Sequence, residues 1–102
     1  MRIKDILKTL DHNLFDEVAT YDVRTKTSLF DSVIIATASS FTQMEAAVHY
    51  LEDVYPIRGV ELGHDWTLID LGDVIIHLFA PTEREKYGLD QILSTYSIRK
   101  QD

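Results

Sequence analysis

Two short runs of alternating apolar residues, joined by Gly72-Asp73, form the clearest pattern in the chain. Glycine tolerates the positive φ that a tight two-residue turn requires, so the pattern predicts a β-hairpin over residues 66–79. Such a turn fixes the register of the two strands, and one side of the hairpin becomes almost wholly aliphatic. The cross-strand pairs on its other side are Trp66 with Phe79, Leu68 with His77, and Asp70 with Ile75.

Hydrophobic spacing predicts two longer helices and two further strands. Apolar residues three and four apart indicate helices from about Ile3 to Leu14 and over residues 41–55, the second ended by Pro56. The alternation over residues 18–24 predicts a strand, and residues 32–38 are apolar on both sides, which is typical of a buried central strand. The stretch that contains Gly59 and Gly63 is predicted as a loop.

Polar residues at the predicted helix starts match the helix-capping pattern. Ser40 with Gln43, and Thr82 with Glu85, have the spacing of a capping box, and Asp90 is predicted to cap a last helical turn. The predicted order is α-β-β-α-β-β-α. This order describes an α/β protein of the α+β type, with a mixed sheet and with helices packed on its aliphatic side.

Composition fits a single domain over residues 1–102 and argues against several functional classes. The chain has no cysteine, so disulfides, thiolate metal sites and a cysteine nucleophile are excluded. It shows no apolar run of membrane-spanning length and no signal-peptide pattern, so we expect a cytoplasmic protein without a membrane partner. A net charge of −7 argues against direct nucleic-acid binding. The charge favours a basic protein partner, although solubility alone explains it equally well.

The sequence contains no residue pattern that is typical of a catalytic or metal-binding site. No two of the four histidines have zinc-ligand spacing, and the glycines form no phosphate-binding loop, so we expect neither metal nor cofactor. His77 lies near Asp70 in the predicted hairpin, but no activated nucleophile accompanies them, and we expect no catalytic residues. The mixed side of the hairpin is either a binding surface or a part of the core covered by a helix. The residues alone leave both alternatives open.

Five stretches of the chain together carry a family resemblance. They are Asp22-Val23-Arg24, Ser28-Leu29-Phe30-Asp31, Ile35-Ala36-Thr37-Ala38-Ser39-Ser40, Trp66-x-x-x-Asp70-x-Gly72-Asp73-Val74-x-x-His77-x-Phe79, and Glu83-x-Glu85-x-Tyr87-x-Leu89. In register with one another, they resemble the ribosomal silencing factors, also called the Iojap-related family, over about residues 18–93. The fourth stretch is the most specific of the five.

The resemblance implies a repressor of translation and not an enzyme. Members of this family bind the large ribosomal subunit through its protein fourteen, a basic protein, and thereby block joining with the small subunit. Their fold is similar to that of the nucleotidyltransferases without the active site, and this chain likewise has no Gly-Ser followed by Asp-x-Asp. Family members are seen as dimers, so we also expect a concentration-dependent homodimer.

The same resemblance implies a set of partner-binding residues on the mixed side of the hairpin. They are Trp66, Leu68, Asp70, His77 and Phe79, with Asp73 and Tyr87 at the rim. The aromatic side chains are expected to supply apolar anchor area, and the carboxylates to meet Lys or Arg of the partner. For Asp73 a role in the turn, and for Tyr87 a role in packing the last helix, remain open. The alternative function is that of a divergent metal-dependent nucleotidyltransferase-like enzyme, which would use Asp70 and Asp73.

Overall fold

One mixed sheet of six strands organises the computed structural model, which describes residues 2–13, 15–94 and 97–100. The elements, in chain order, are α1 (Arg2–His12), β1 (Asp16–Asp22), β2 (Ser32–Thr37), α2 (Phe41–Val54), β3 (Gly59–Leu62), β4 (Trp66–Asp70), β5 (Val74–Phe79), α3 (Pro81–Tyr87), α4 (Leu89–Leu93) and β6 (Ser97–Lys100). The strand order across the sheet is β3-β4-β5-β2-β1-β6. Only β2 and β5 pair in parallel among the described strands, so the predicted mixed sheet is confirmed.

The β4–β5 hairpin has the register that the turn pattern predicts. Trp66 pairs with Phe79, and Leu68 pairs with His77. Gly72 in the turn has a φ of +95°, a conformation that a side chain would strain. Because a one-residue slip would turn every aliphatic side chain out of the core, this turn determines which side chains reach each face.

The two faces of the sheet support two separate hydrophobic clusters. On the aliphatic side, α1 and α2 pack on the sheet through fully buried side chains such as Ile6, Leu10 and Leu51. These contact the buried side chains of the central strands, among them Ile34 and Ile76. The predicted aliphatic side of the hairpin is therefore confirmed as the main core.

Helices α3 and α4 lie against the opposite face, so the prediction that the helices pack on the aliphatic side is wrong for these two. Leu93 of α4 joins Tyr21, Val33 and Phe79 in the second buried cluster, and Leu89 packs against its margin. Strands β1 and β2 carry large apolar side chains on this face as well. Burying that apolar area stabilises the fold, and α3 and α4 provide part of the cover.

The structure differs from the predicted order of elements. It contains two additional strands, β3 and β6, and it has two short helices, α3 and α4, where the order has one. The segment predicted as a loop forms β3, which pairs with β4 from Gly59 to Leu62. Its side chains are mostly exposed, so backbone hydrogen bonding holds it at the sheet edge without a hydrophobic pattern. Helix α1 ends at His12, and the predicted end at Leu14 lies outside the described residues. Strand β1 begins at Asp16 and ends before Arg24.

The helix caps agree only in part with the capping pattern. The Gln43 backbone amide donates to Ser40 Oγ over 3.1 Å, which confirms the cap of α2. The Thr82–Glu85 capping box is wrong, because Pro81 already occupies the first turn of α3 and Ala80 is its N-cap. Asp90 does not cap α4 either, since its carboxylate binds side chains elsewhere in the fold.

No helix within the described ranges is both long and apolar enough to cross a membrane. The longest of them, α2, has 14 residues.

Candidate functional site

The mixed side of the β4–β5 hairpin, which we call the hairpin face, is only partly covered by the rest of the chain. It consists of Trp66, Leu68, Asp70, Ile75, His77 and Phe79. Phe79 is 2% exposed and belongs to the second core cluster, whereas the other five side chains are half-buried. The mixed side of the hairpin is therefore neither wholly core nor wholly surface. Phe79 belongs to the core, and the other five side chains remain partly accessible to solvent.

Helix α3 covers Phe79 through a cluster of three aromatic rings. The Tyr87 ring centroid lies 5.4 Å from that of Phe79 and 6.4 Å from that of Trp66, which it meets edge-on. Tyr87 itself is 54% exposed. It therefore packs on the hairpin face and leaves about half of its surface accessible, and its contact with a partner stays a prediction.

The two aspartates near the turn make different contacts. Asp70 Oδ1 accepts a 2.8 Å hydrogen bond from the Gly72 amide, which stabilises the turn from within. Asp73 is exposed in the turn, and its backbone carbonyl accepts hydrogen bonds from the amides of Asp31 and Ser32. Asp73 thus joins the turn of the hairpin to the start of β2 through its backbone, and its contact with a partner stays a prediction.

His77 has an environment that differs from that of an exposed histidine. Its ring stacks on Phe79 with a centroid separation of 5.7 Å and an angle of 5°. Its Nδ1 atom is buried and has no hydrogen-bond partner. Burial lowers the pKa of His77 below its usual value of 6.5, so the ring is neutral near pH 7. The described hydrogen bonds include none between His77 and Asp70, so the two do not form a general-base pair.

A second polar cluster, which sequence reasoning missed, lies next to the hairpin face. We call it the Arg84 cluster: Arg84, Asp90 and Tyr21. Arg84 Nε and Nη2 donate to the two oxygens of Asp90, each over 2.9 Å, and Tyr21 Oη donates to Asp90 Oδ2 over 2.6 Å. Arg84 Nη1 donates further to the Glu17 carbonyl and to Thr37 Oγ1. Tyr21 and Asp90 are 69 residues apart, so no local spacing could have indicated this contact.

The pKa values in the Arg84 cluster follow from burial and from its hydrogen bonds. Burial alone would raise the pKa of Asp90, but hydrogen bonds from Arg84 and Tyr21, with the charge of Arg84, lower it overall. Burial, followed by the hydrogen bond to Asp90 and its charge, raises the pKa of Tyr21 to about 12, against an opposing contribution from Arg84. At neutral pH the cluster therefore holds an ionised Asp90 and a neutral Tyr21.

The arrangement is chemically suited to recognition of a macromolecule. Within residues 2–13, 15–94 and 97–100, no three His, Cys, Asp or Glu side chains are placed to hold a metal ion together. The hairpin face instead offers Trp66 and Leu68 as half-buried apolar groups beside Asp70 and His77. Aromatic groups bordered by a few polar ones are typical of the energetically important parts of protein interfaces.

The fold thus defines a small α+β protein whose sheet is covered by α1 and α2 on one face and only in part by α3 and α4 on the other. The family model described as "Ribosomal silencing factor during starvation" matches residues 2–101. This chain belongs to that family.

Individual relatives agree with this family assignment. The chain is 35% identical over 100 residues to the ribosomal silencing factor RsfS of Zymomonas mobilis, covering 90% of this chain and 74% of the relative. It is 30% identical over 82 residues to the mouse protein named "Mitochondrial assembly of ribosomal large subunit protein 1", covering 70% of this chain and 36% of that protein. A crystal structure of a protein from Chromobacterium violaceum superposes with a TM-score of 0.78 at 29% identity, covering 92% of this chain and 88% of that one.

Proposed function

We propose that this ribosomal silencing factor represses translation by binding the large ribosomal subunit through its protein fourteen, which blocks joining with the small subunit. The observation that carries the proposal is the hairpin face, where Trp66, Leu68 and His77 remain accessible instead of being covered by α3 or α4. A half-buried tryptophan on a rigid hairpin can be buried by a partner at little cost in conformational entropy.

Charge supports a basic protein as the partner. The chain carries a net charge of −7. Asp70 and Asp73 lie at the turn end of the hairpin face, where Lys or Arg side chains of a partner can meet them. Complementary charge of this kind mainly speeds and orients the encounter, while the apolar anchors supply most of the affinity.

The proposed action is steric and needs no enzymatic step. Of the two carboxylates of the alternative nucleotidyltransferase hypothesis, that of Asp70 accepts a hydrogen bond within the turn, and among the described residues neither belongs to a group of three side chains placed to hold a metal ion. The name of the mouse relative also refers to the large ribosomal subunit, which supports the choice of that subunit as the partner. We propose further that the protein acts in the cytoplasm, where the subunits join.

Cosedimentation with isolated large ribosomal subunits tests the proposal. The wild-type protein is expected to pellet with large subunits and to lower the yield of joined ribosomes when small subunits are added. Trp66→Ala should weaken binding by roughly 30-fold or more, because it removes a central aromatic anchor. Tyr50→Ala is the matched control, since Tyr50 is a 48% exposed aromatic residue on α2, away from the hairpin face.

Each outcome of this experiment separates the hypotheses. Absence of wild-type binding to large subunits would defeat the proposal. Equal binding by Trp66→Ala and Tyr50→Ala would show that the hairpin face is not the contact. We propose further that the free protein forms a concentration-dependent homodimer. Sedimentation equilibrium of the free protein tests this, and a monomeric mass at all concentrations would refute it.

A further inference from the structure

An apolar groove continues from the hairpin face toward the loop between β1 and β2. It has a volume of about 270 Å³ and lies between Thr27 and Phe30 of that loop and Leu89 and Leu93 of α4, with Ile75 and His77 on the sheet. His77 belongs both to the hairpin face and to the lining of the groove. The groove is thus continuous with the surface that the proposed function assigns to the partner.

The size of the groove suits a side chain better than a whole small molecule. Sites for small-molecule ligands usually have volumes of roughly 300–1,000 Å³ and enclose most of the ligand. This groove is smaller and open to solvent, and apolar side chains form most of its lining. Interfaces between proteins commonly use such depressions to receive one aliphatic or aromatic anchor from the partner.

Two exposed apolar side chains are next to groove-lining residues in the sequence. Leu29, on the loop, is 76% exposed, and Ile92, on α4, is 58% exposed. These are the two most exposed large hydrophobic side chains among the described residues. Burial of such groups by a partner contributes free energy in proportion to the apolar area removed from water.

We propose that this groove is a second anchor site of the docking surface, which takes one apolar side chain of a basic protein of the large ribosomal subunit. The inference rests on the proposed function, because it assigns the groove to the same partner. It enlarges the contact from the hairpin face to the β1–β2 loop and α4. Lys26 lines the groove, so the groove itself is not acidic, but the net charge of −7 on the chain as a whole favours a basic partner over an acidic one.

The test compares dissociation constants of groove variants for purified large ribosomal subunits. Thr27→Phe places a ring at the groove wall and should weaken binding by about tenfold or more. Thr25→Phe is the matched control, because Thr25 is exposed on the same loop but does not line the groove.

Folding and the proposed function are controlled separately. Thermal unfolding of each variant shows whether it is folded. If Thr27→Phe is not folded, Leu89→Trp replaces it, because a tryptophan at that position narrows the groove from the side of α4. If Trp66→Ala loses binding while the folded groove variant binds as tightly as the wild type, the groove inference fails and the proposed function stands. If the wild type does not bind large subunits, both fail. If the groove variant changes only self-association in sedimentation equilibrium, a second copy of this chain occupies the groove and the inference is overturned.

Discussion

Asp90 holds Arg84 through two parallel hydrogen bonds of 2.9 Å, from Nε to Oδ1 and from Nη2 to Oδ2. The pair joins α4 to α3 across Gly88, and Tyr21 ties the same carboxylate to β1. Through its remaining nitrogen, Arg84 also binds the carbonyl of Glu17, at an irregularity of β1 where Glu17 has a φ of +49°. The Arg84 cluster therefore fixes α3, with Tyr87, against the hairpin face.

Loss of the Asp90 carboxylate should destabilise the protein. Asp90→Ala leaves Arg84, whose side chain is only 14% exposed, without its ionic partner and leaves Tyr21 Oη without its acceptor. We expect the free energy of unfolding to fall by about 2–3 kcal/mol, as measured by urea denaturation. Glu52→Ala is the control, because the His49–Glu52 pair is on the surface, and it should cost less than about 0.5 kcal/mol. Equal stabilities of the two variants would contradict the assigned role of Asp90.

Alkaline pH should weaken the contribution of Tyr21 to stability. In the unfolded chain tyrosine ionises near pH 10, whereas burial, followed by the contact with Asp90, raises the pKa of Tyr21 to about 12 in the native protein. This contribution is therefore complete below pH 10 and is lost as the pH rises toward 12. The free energy of unfolding should fall more steeply over this interval for the wild type than for Tyr21→Phe. Parallel pH profiles of the two proteins would refute the prediction.

Mild acid should act on stability through His77. Burial lowers the pKa of His77 below 6.5, so as the pH falls the unfolded chain takes up a proton before the native protein does. Its contribution to stability is present above pH 6.5 and is lost as the pH falls toward the native pKa. Between about pH 7 and pH 5, His77→Phe should lose less stability than the wild type in chemical denaturation. A native imidazole pKa at or above 6.5 in an NMR titration would rule this out.

A side chain at Gly72 should destabilise the hairpin turn. The φ of +95° is unfavourable for any residue with a Cβ atom, and that atom would lie 3.3 Å from Arg58 Cδ. We expect Gly72→Ala to lower the free energy of unfolding by about 1–2 kcal/mol. Gly59→Ala is the control, because a Cβ at Gly59 meets nothing within 4 Å, and its stability should stay near that of the wild type. The prediction fails if the two substitutions have the same effect.

Much of the fold could be predicted because local rules determine its central part. The two-residue turn specifies the pairing of Trp66 with Phe79 wherever the hairpin sits in the fold. Likewise Pro56 ends α2 through the conformation that it imposes on Tyr55. Strand β3 was missed because most of its side chains are exposed, so its sequence shows little of the hydrophobic alternation from which strands are predicted.

The amino-acid sequence by itself determined the hairpin, its register and the side chains that share its mixed side, since these depend on neighbours along the chain. Only the tertiary structure decided that Phe79 is buried while Trp66 stays accessible, because that depends on where α3 and α4 pack. The Arg84 cluster and the groove likewise join segments that are distant in the chain, such as Tyr21 and Asp90. Burial and long-range hydrogen bonds depend on which distant segments come into contact when the chain packs, and the hydrophobic pattern along the chain does not show this.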